Sequence, residues 1–276
     1  MEDSKTISIM GCGWLGLPLS EHLMRLRYNV KGSTTSPEKI DVLLEKDIQP
    51  YLLDLSSDML DKGALEDFLD TDVLVLNIPP HLRSDGGDAY LSQMHLLLKT
   101  MLDSPVNRVI FVSSTSVYQN LNRVIIEEDV TFTGEQDPNN MLLQAERLFQ
   151  NRDGWMTTIV RFAGLVGGNR QPGRFLAGKQ DLPNGDAPVN LIHLDDCISI
   201  LHRIIEEEKW GRVYNACADG HPLRKDFYTA AALSLGLTPP QFKDMEVTEF
   251  KLISSQKLKE ELSYTFIHPD PMTFFS

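Results

Sequence analysis

The chain has 276 residues, 42% of them hydrophobic, enough to bury a core in one large domain or in a domain with a smaller lobe. Thirty-nine acids against 26 bases leave a net charge of −13. A surface this acidic repels phosphate backbones and anionic lipid, so neither nucleic acid nor membrane is an expected partner. The three cysteines, Cys12, Cys197 and Cys217, are far apart and form no Cys-x-x-Cys pair, as in a reducing compartment. The opening MEDSK is acidic where a secretory leader is basic. The longest uncharged run, Thr6 to Ser20, is 15 residues broken by glycine and proline, too short to span a bilayer. The cytoplasm is the expected location.

In chain order, TISIM (6–10) reads as a strand, followed by a helix from about Leu15 to Leu26. YNVKGST (28–34) precedes a helix from Pro37 to Glu45. QPYLLDL (49–55) precedes a short helix from Lys62 to Leu69, and DVLVLNI (72–78) one from Asp88 to Leu102. NRVIFVSS (107–114), WMTTIVRF (155–162) and GRVYNAC (211–217) read as further buried strands. This alternation predicts an α/β fold, a doubly wound Rossmann-type parallel sheet with helices on both faces. Residues 1–165 are expected to form a nucleotide-binding domain. Residues 166–276 are expected to form a smaller C-terminal substrate lobe, with segments near 189–217 returning to the sheet.

Gly11-Cys12-Gly13-Trp14-Leu15-Gly16 matches G-x-G-x-x-G between the first strand and the first helix. In that context the first glycine permits the turn, the second admits a pyrophosphate, and the third lets helix and sheet approach. Trp14 and Leu15 belong to the same turn. The alternative is a tight turn without ligand. The second strand bears on the coenzyme. NAD-preferring sites place a carboxylate at its end, whereas here Ser33, Thr34, Thr35 and Ser36 follow, and the next acid is Glu38. With Lys31 and Lys39 nearby, this favours NADP over NAD.

Three later segments carry a resemblance. VSSTSVY (112–118) resembles the fifth-strand motif of the extended short-chain dehydrogenases/reductases, the sugar-nucleotide epimerase/dehydratase group. VRFAGLVGG (160–168) and VNLIHLDD (189–196) resemble that group's segments after the sixth strand and beyond. The chain is most similar to the atypical bacterial branch termed NAD-dependent epimerase/dehydratase-like, over nearly its whole length. The resemblance implies that Asp54 and Leu55 contact the adenine, and that Asn77, Ile78 and Pro79 line the ribose side. It puts Ser113 in the cofactor-binding set and Ser114 at the catalytic Ser/Thr position. Phe162 to Leu165, Gly164 included, would lie near the nicotinamide carboxamide.

The family's proton relay is Tyr-x-x-x-Lys, and none of the seven tyrosines has lysine four residues later. The corresponding helix, DPNNMLLQAERLFQ (137–150), has Asp137 as N-cap and Pro138 at its first position. Aligned on Ala145-Glu146, Pro138 falls at the tyrosine position and Leu142 at the lysine position. Tyr118 is the nearest substitute, as proton donor or as a tyrosine packed beside the strand end. His81 is a loop histidine able to act as acid or base, or simply a solvated one. His193 with Asp195 and Asp196 reads as a strand-to-helix turn in which an aspartate caps the helix. No metal is expected, since no second His/Cys cluster supports one.

Arg170, Arg174 and Lys179 concentrate positive charge in the long loop after the sixth strand. Arg170 and Arg174 suit a small anionic, nucleotide-sugar-like substrate, the alternative being a solvated loop. The expected function is therefore an NAD(P)-binding oxidoreductase or epimerase-like protein with Ser114 and Tyr118 at an atypical site. The other reading is a non-catalytic NADP-binding sensor. A small-molecule substrate and a second copy of the chain, as a homodimer, are the expected partners.

Overall fold

The computed structural model describes residues 4–80, 88–130, 138–150, 154–244 and 249–275. His81 and Asp137 lie outside the described residues. The first half alternates as its sequence predicts: β1 Thr6–Met10, α1 Gly16–Arg25, β2 Asn29–Thr34, α2 Ile40–Leu44, β3 Gln49–Leu52, α3 Lys62–Leu69, β4 Val73–Leu76, α4 Asp88–Met101 and β5 Arg108–Ser114. The second half runs β6 Val124–Ile125, α5 Pro138–Gln150, β7 Met156–Phe162, β8 Gly164–Val166, α6 Gly173–Leu176, β9 Leu191–His193 and α7 Leu194–Glu206. It ends with β10 Val213–Ala216, α8 Arg224–Ser234, β11 Leu252–Ile253 and α9 Gln256–Glu261.

Seven strands form one sheet in the order β10-β7-β5-β4-β1-β2-β3. The pairs β1·β2, β1·β4, β2·β3 and β4·β5 are parallel. Such a sheet is covered on both faces, so its strands read as unbroken apolar runs rather than alternating ones. Val73, Leu74, Val75 and Leu76 are accordingly all buried. The one polar interior residue of β1, Ser8, is satisfied by donating to the Phe68 carbonyl at 2.6 Å. Strand order reverses at β1, whose neighbours are β2 and β4. The crevice beyond the carboxyl ends of β1 and β4 is where open α/β sheets bind ligands.

The chain divides into two compact units. One comprises Met1–Ser113, Phe132–Val160 and Leu201–Val213; the other comprises Ser114–Thr131, Arg161–Ile200 and Tyr214–Ser276. The chain thus passes between units five times. The reason is the sheet: β5, β7 and β10 are continuous strands whose last residues belong to the second unit. That unit has its own core, in which Val166, Val189, Leu191 and Phe227 pack with Tyr228, Met272, Phe274 and Phe275. No described helix is long and apolar enough to cross a membrane.

Candidate functional site

The first unit holds the glycine turn, and its three glycines do different work. A Cβ on Gly11 (φ 101°) would stand 2.5 Å from the Asn77 carbonyl oxygen, and one on Gly16 would stand 2.1 Å from the Gly11 carbonyl oxygen. Both are excluded by neighbouring backbone. A Cβ on Gly13 would meet nothing within 4 Å, and Gly13 is exposed. No packing constraint explains that glycine, whereas an approaching ligand does. Leu15, the N-cap of α1, offers no side-chain cap to that helix. Gly11, Gly13, Leu15 and Gly16, with the half-buried Trp14, thus form an elbow that is open at Gly13, whose own amide donates to the Gly11 carbonyl at 2.9 Å; the open side has the room a pyrophosphate needs.

Two neighbouring elements fix the elbow. The Gly11 amide donates to Ser33 Oγ at 3.0 Å and the Cys12 amide to the Ser33 carbonyl at 2.8 Å. Asn77 Nδ2 donates to the Gly11 carbonyl at 3.0 Å. Ile78 is half-buried and Pro79 exposed, directly after Asn77. Asn77 therefore stands at the carboxyl end of β4 against the turn that follows β1.

The end of β2 differs from its sequence reading in two residues. Ser33 is buried, with its hydroxyl committed to Gly11. Lys31 is also buried and donates to the carbonyls of Asp67 and Asp70 at the end of α3, where a cation complements the helix terminus. Neither is available to a ribose phosphate, because interior acceptors hold both. Thr34 is buried and accepts from the Ser36 amide at 3.1 Å, while Thr35 and Lys39 are exposed. Thr35 and Asp54 line one groove of about 800 Å³, together with Tyr51, Asp61 and Asp67. Asp54 accepts locally from the Ser56 amide at 2.9 Å and the Ser56 hydroxyl at 2.6 Å, and Leu55 is buried.

Ser113, at the end of β5, is buried and donates to Glu146 Oε1 at 2.6 Å. Glu146 is itself only 2% exposed on α5. Sequence reasoning used it only as an alignment anchor; its i+4 spacing from the buried Leu142 was the signal that it faces inward. Leu142, which the sequence alignment sets at the lysine position, is 3% exposed in an apolar face with Ala145 and Phe149. Tyr90 is buried near Glu146, and burial followed by that charge pushes its phenol upward.

The second unit holds the turn after β5. Ser114 is half-buried, and its Oγ accepts from the Ser116 amide at 3.1 Å. Tyr118 is 3% exposed; its hydroxyl donates to Asn215 Oδ1 at 2.7 Å and accepts from Arg161 Nη1 at 2.6 Å. Burial is the largest influence and pushes the phenol up to about 12, against the pull of Arg161. Lys251 Nζ donates to the carbonyls of Thr115 at 3.0 Å and Tyr118, holding the turn from behind. Burial lowers the affinity of that amine for its proton. Arg161, Asn215 and Lys251 were invisible as partners in the sequence.

Elsewhere in this unit Phe162 is buried and Gly164 exposed, its amide bonded to the Asn190 carbonyl at 3.0 Å. Arg170 lies in the turn after β8 and Arg174 in α6 rather than in one long loop; both are exposed, and Arg174 Nε donates to Gln171 Oε1 at 2.8 Å. The turn into α7 is not capped by an aspartate, as expected, but by His193, whose Nδ1 accepts from the Asp195 amide at 3.3 Å. Asp196, fully buried, instead accepts from the Tyr264 hydroxyl and from the amides of Ile267 and His268.

Sheet order and the glycine elbow define a Rossmann-type α/β protein. Two solved structures share this fold. One is MoeE5 in complex with UDP-glucose and NAD (19% identity, TM-score 0.77, covering 98% of this chain and 97% of that one). The other is UDP-glucose 4-epimerase from Bifidobacterium longum in complex with NAD+ and UDP (18% identity, TM-score 0.77, covering 98% and 96%). No protein-family model matches the chain. Protein YeeZ of Escherichia coli K12 is 34% identical over 277 residues, spanning 97% of this chain and 98% of its own length. The chain belongs to the same family as Protein YeeZ.

Proposed function

We propose that this chain binds a nicotinamide dinucleotide on the Gly11–Gly16 elbow and serves hydride transfer to or from a carbonyl or alcohol on a small anionic substrate. The observation that carries the reading is the open side of Gly13, where a Cβ would meet nothing within 4 Å. MoeE5 and the B. longum epimerase, which share the fold, are NAD complexes.

When bound, the dinucleotide supplies or accepts the hydride; the remaining work belongs to the chain. Amides of the elbow and of the start of α1 hold the pyrophosphate. Asn77, Ile78, Pro79, Asp54, Leu55, Ser113, Phe162 and Gly164 are the proposed further cofactor residues. Ser114 accepts from the Ser116 amide and so keeps its own proton to donate to a substrate oxygen. Water rather than Tyr118 supplies the proton, because Asn215 and Arg161 already engage that phenol. Arg170 and Arg174 hold the substrate's anionic group, of nucleotide-sugar type. The proposal includes a cytoplasmic location and a second copy of the chain as partner in a homodimer.

The proposed coenzyme is NADP. Exposed Thr35 and Lys39 support it, with no carboxylate from Ser33 to Ser36. Calorimetric titration with all four nicotinamide coenzymes tests both levels. Tighter binding of the phosphorylated pair supports NADP. Preference for NAD gives the ribose to the carboxylates of the Asp54 groove. Silence with all four removes the function. One observation favours a second reading, an NADP-binding sensor: the buried Leu142 at the lysine position. NADPH oxidation with a panel of carbonyl substrates and nucleotide-sugars decides between them.

A further inference from the structure

The second unit brings together three side chains that the sequence keeps apart. His193 ends β9, Asp195 lies in the first turn of α7, and His268 follows 73 residues after Asp195. Asp195 Oδ2 stands 3.3 Å from His193 Nδ1 and 3.0 Å from His268 Nε2. One ligand atom from each residue lies within 4.8 Å of the other two. The two imidazole centroids lie 4.0 Å apart with the ring planes tilted by 48°.

Two of these separations match what one ion requires, and the third lies within reach of small side-chain rotations. Zinc-type ions bind imidazole nitrogen and carboxylate oxygen at about 2.0–2.2 Å, so two ligands of one ion stand about 3 Å apart. The carboxylate oxygen already has that spacing from both nitrogens.

The backbone holds the arrangement without help from the cluster itself. The His268 amide donates to Asp196 Oδ2 at 3.0 Å and the Ile267 amide to Asp196 Oδ1 at 2.7 Å, anchoring the strap that carries His268. His193 is fixed by pairing with Val166 across β8 and β9. Its Nε2 faces Gly167, where a Cβ would stand 2.7 Å away, so Nδ1 is the nitrogen turned toward Asp195. That lone pair accepts from the Asp195 amide at 3.3 Å, a long contact that an ion displaces at small cost. Phe274 lies 5.4 Å from the His193 ring and 6.2 Å from the His268 ring, an apolar wall on one side. Side-chain exposures of 15%, 31% and 56% for His193, His268 and Asp195 leave an entry path and room for water ligands.

We propose that His193 Nδ1, Asp195 Oδ2 and His268 Nε2 form a binding site for one divalent transition ion of the zinc type, clamping the strap around His268 onto the start of α7. Two imidazoles with one carboxylate select zinc, cobalt, nickel or copper over magnesium and calcium, which require oxygen ligands. The proposal is independent of dinucleotide binding.

The test uses the full chain without an affinity tag, stripped of metal by chelator and dialysed. Zinc chloride is titrated calorimetrically, and cobalt chloride is followed by visible absorption. The expected result is one equivalent bound, with a cobalt ligand-field band. Asp195→Asn and His268→Ala each weaken zinc by about tenfold or more, while His95→Ala, at an exposed histidine of α4, leaves it unchanged. Asp195→Asn keeps side-chain size, and thermal unfolding of both variants without metal verifies the fold. No stoichiometric binding by the folded wild type overturns the proposal. So does affinity unchanged in both folded site variants, or lost equally in His95→Ala.

Discussion

The side-chain amide of Asn77 donates to the carbonyl of Gly11 at 3.0 Å, across 66 residues of chain. It ties the loop after β4 to the turn after β1, at the point where the strand order reverses. That same backbone forbids side chains on Gly11 and Gly16 and leaves Gly13 in the open. One motif therefore divides into two glycines that neighbouring backbone requires and one whose open side the proposed ligand would occupy.

Gly13→Val is expected to abolish coenzyme binding and leave the melting temperature unchanged. Gly16→Ala is expected to cost about 3 kcal/mol of stability, since its Cβ would sit 2.1 Å from a carbonyl oxygen. Calorimetry with thermal unfolding reads both. Full affinity in the valine variant would refute the role of Gly13.

Ser114→Ala is expected to lower turnover by about a hundredfold, the worth of one donor to a developing oxyanion, with little change in stability. Tyr118→Phe is expected to do the reverse. It leaves Asn215 and Arg161 without the hydroxyl between them and costs about 2 kcal/mol, with turnover retained. Kinetics and denaturant unfolding of the two variants separate a site residue from a framework one.

Leu142→Lys is expected to cost about 3 kcal/mol or more, because it buries an unpaired charge on the core face of α5. Pro138→Tyr with Leu142→Lys is accordingly expected to yield no activity. A stable, active double variant would overturn the alignment on Glu146.

All three thiols are buried and unpaired. Burial pushes Cys12 up to about 11, Cys217 up to about 12, and Cys197 well above its ordinary value. A disulfide reagent at pH 8 is expected to label none in the native protein and three after unfolding. Below about pH 9 both states keep these thiols protonated and stability is unaffected. As pH rises from about 9 toward 11 the unfolded chain ionises first, so stability falls. Rapid native labelling, or an alkaline limb without this slope, contradicts the burial.

Much of this protein is legible along the chain. The parallel sheet follows from apolar runs alternating with amphipathic ones, and the elbow from glycine spacing. These signals are local, because backbone periodicity and turn chemistry act over a few residues. Partner choice is not local. Lys31 and Ser33 looked like phosphate ligands at the end of β2, but contacts with α3 and Gly11 commit them to the interior. Tyr118 meets Asn215 across 97 residues, and His268 meets Asp195 across 73. Hydrogen-bond energy depends on distance in space, and only closure of the whole chain brings such groups within 3 Å.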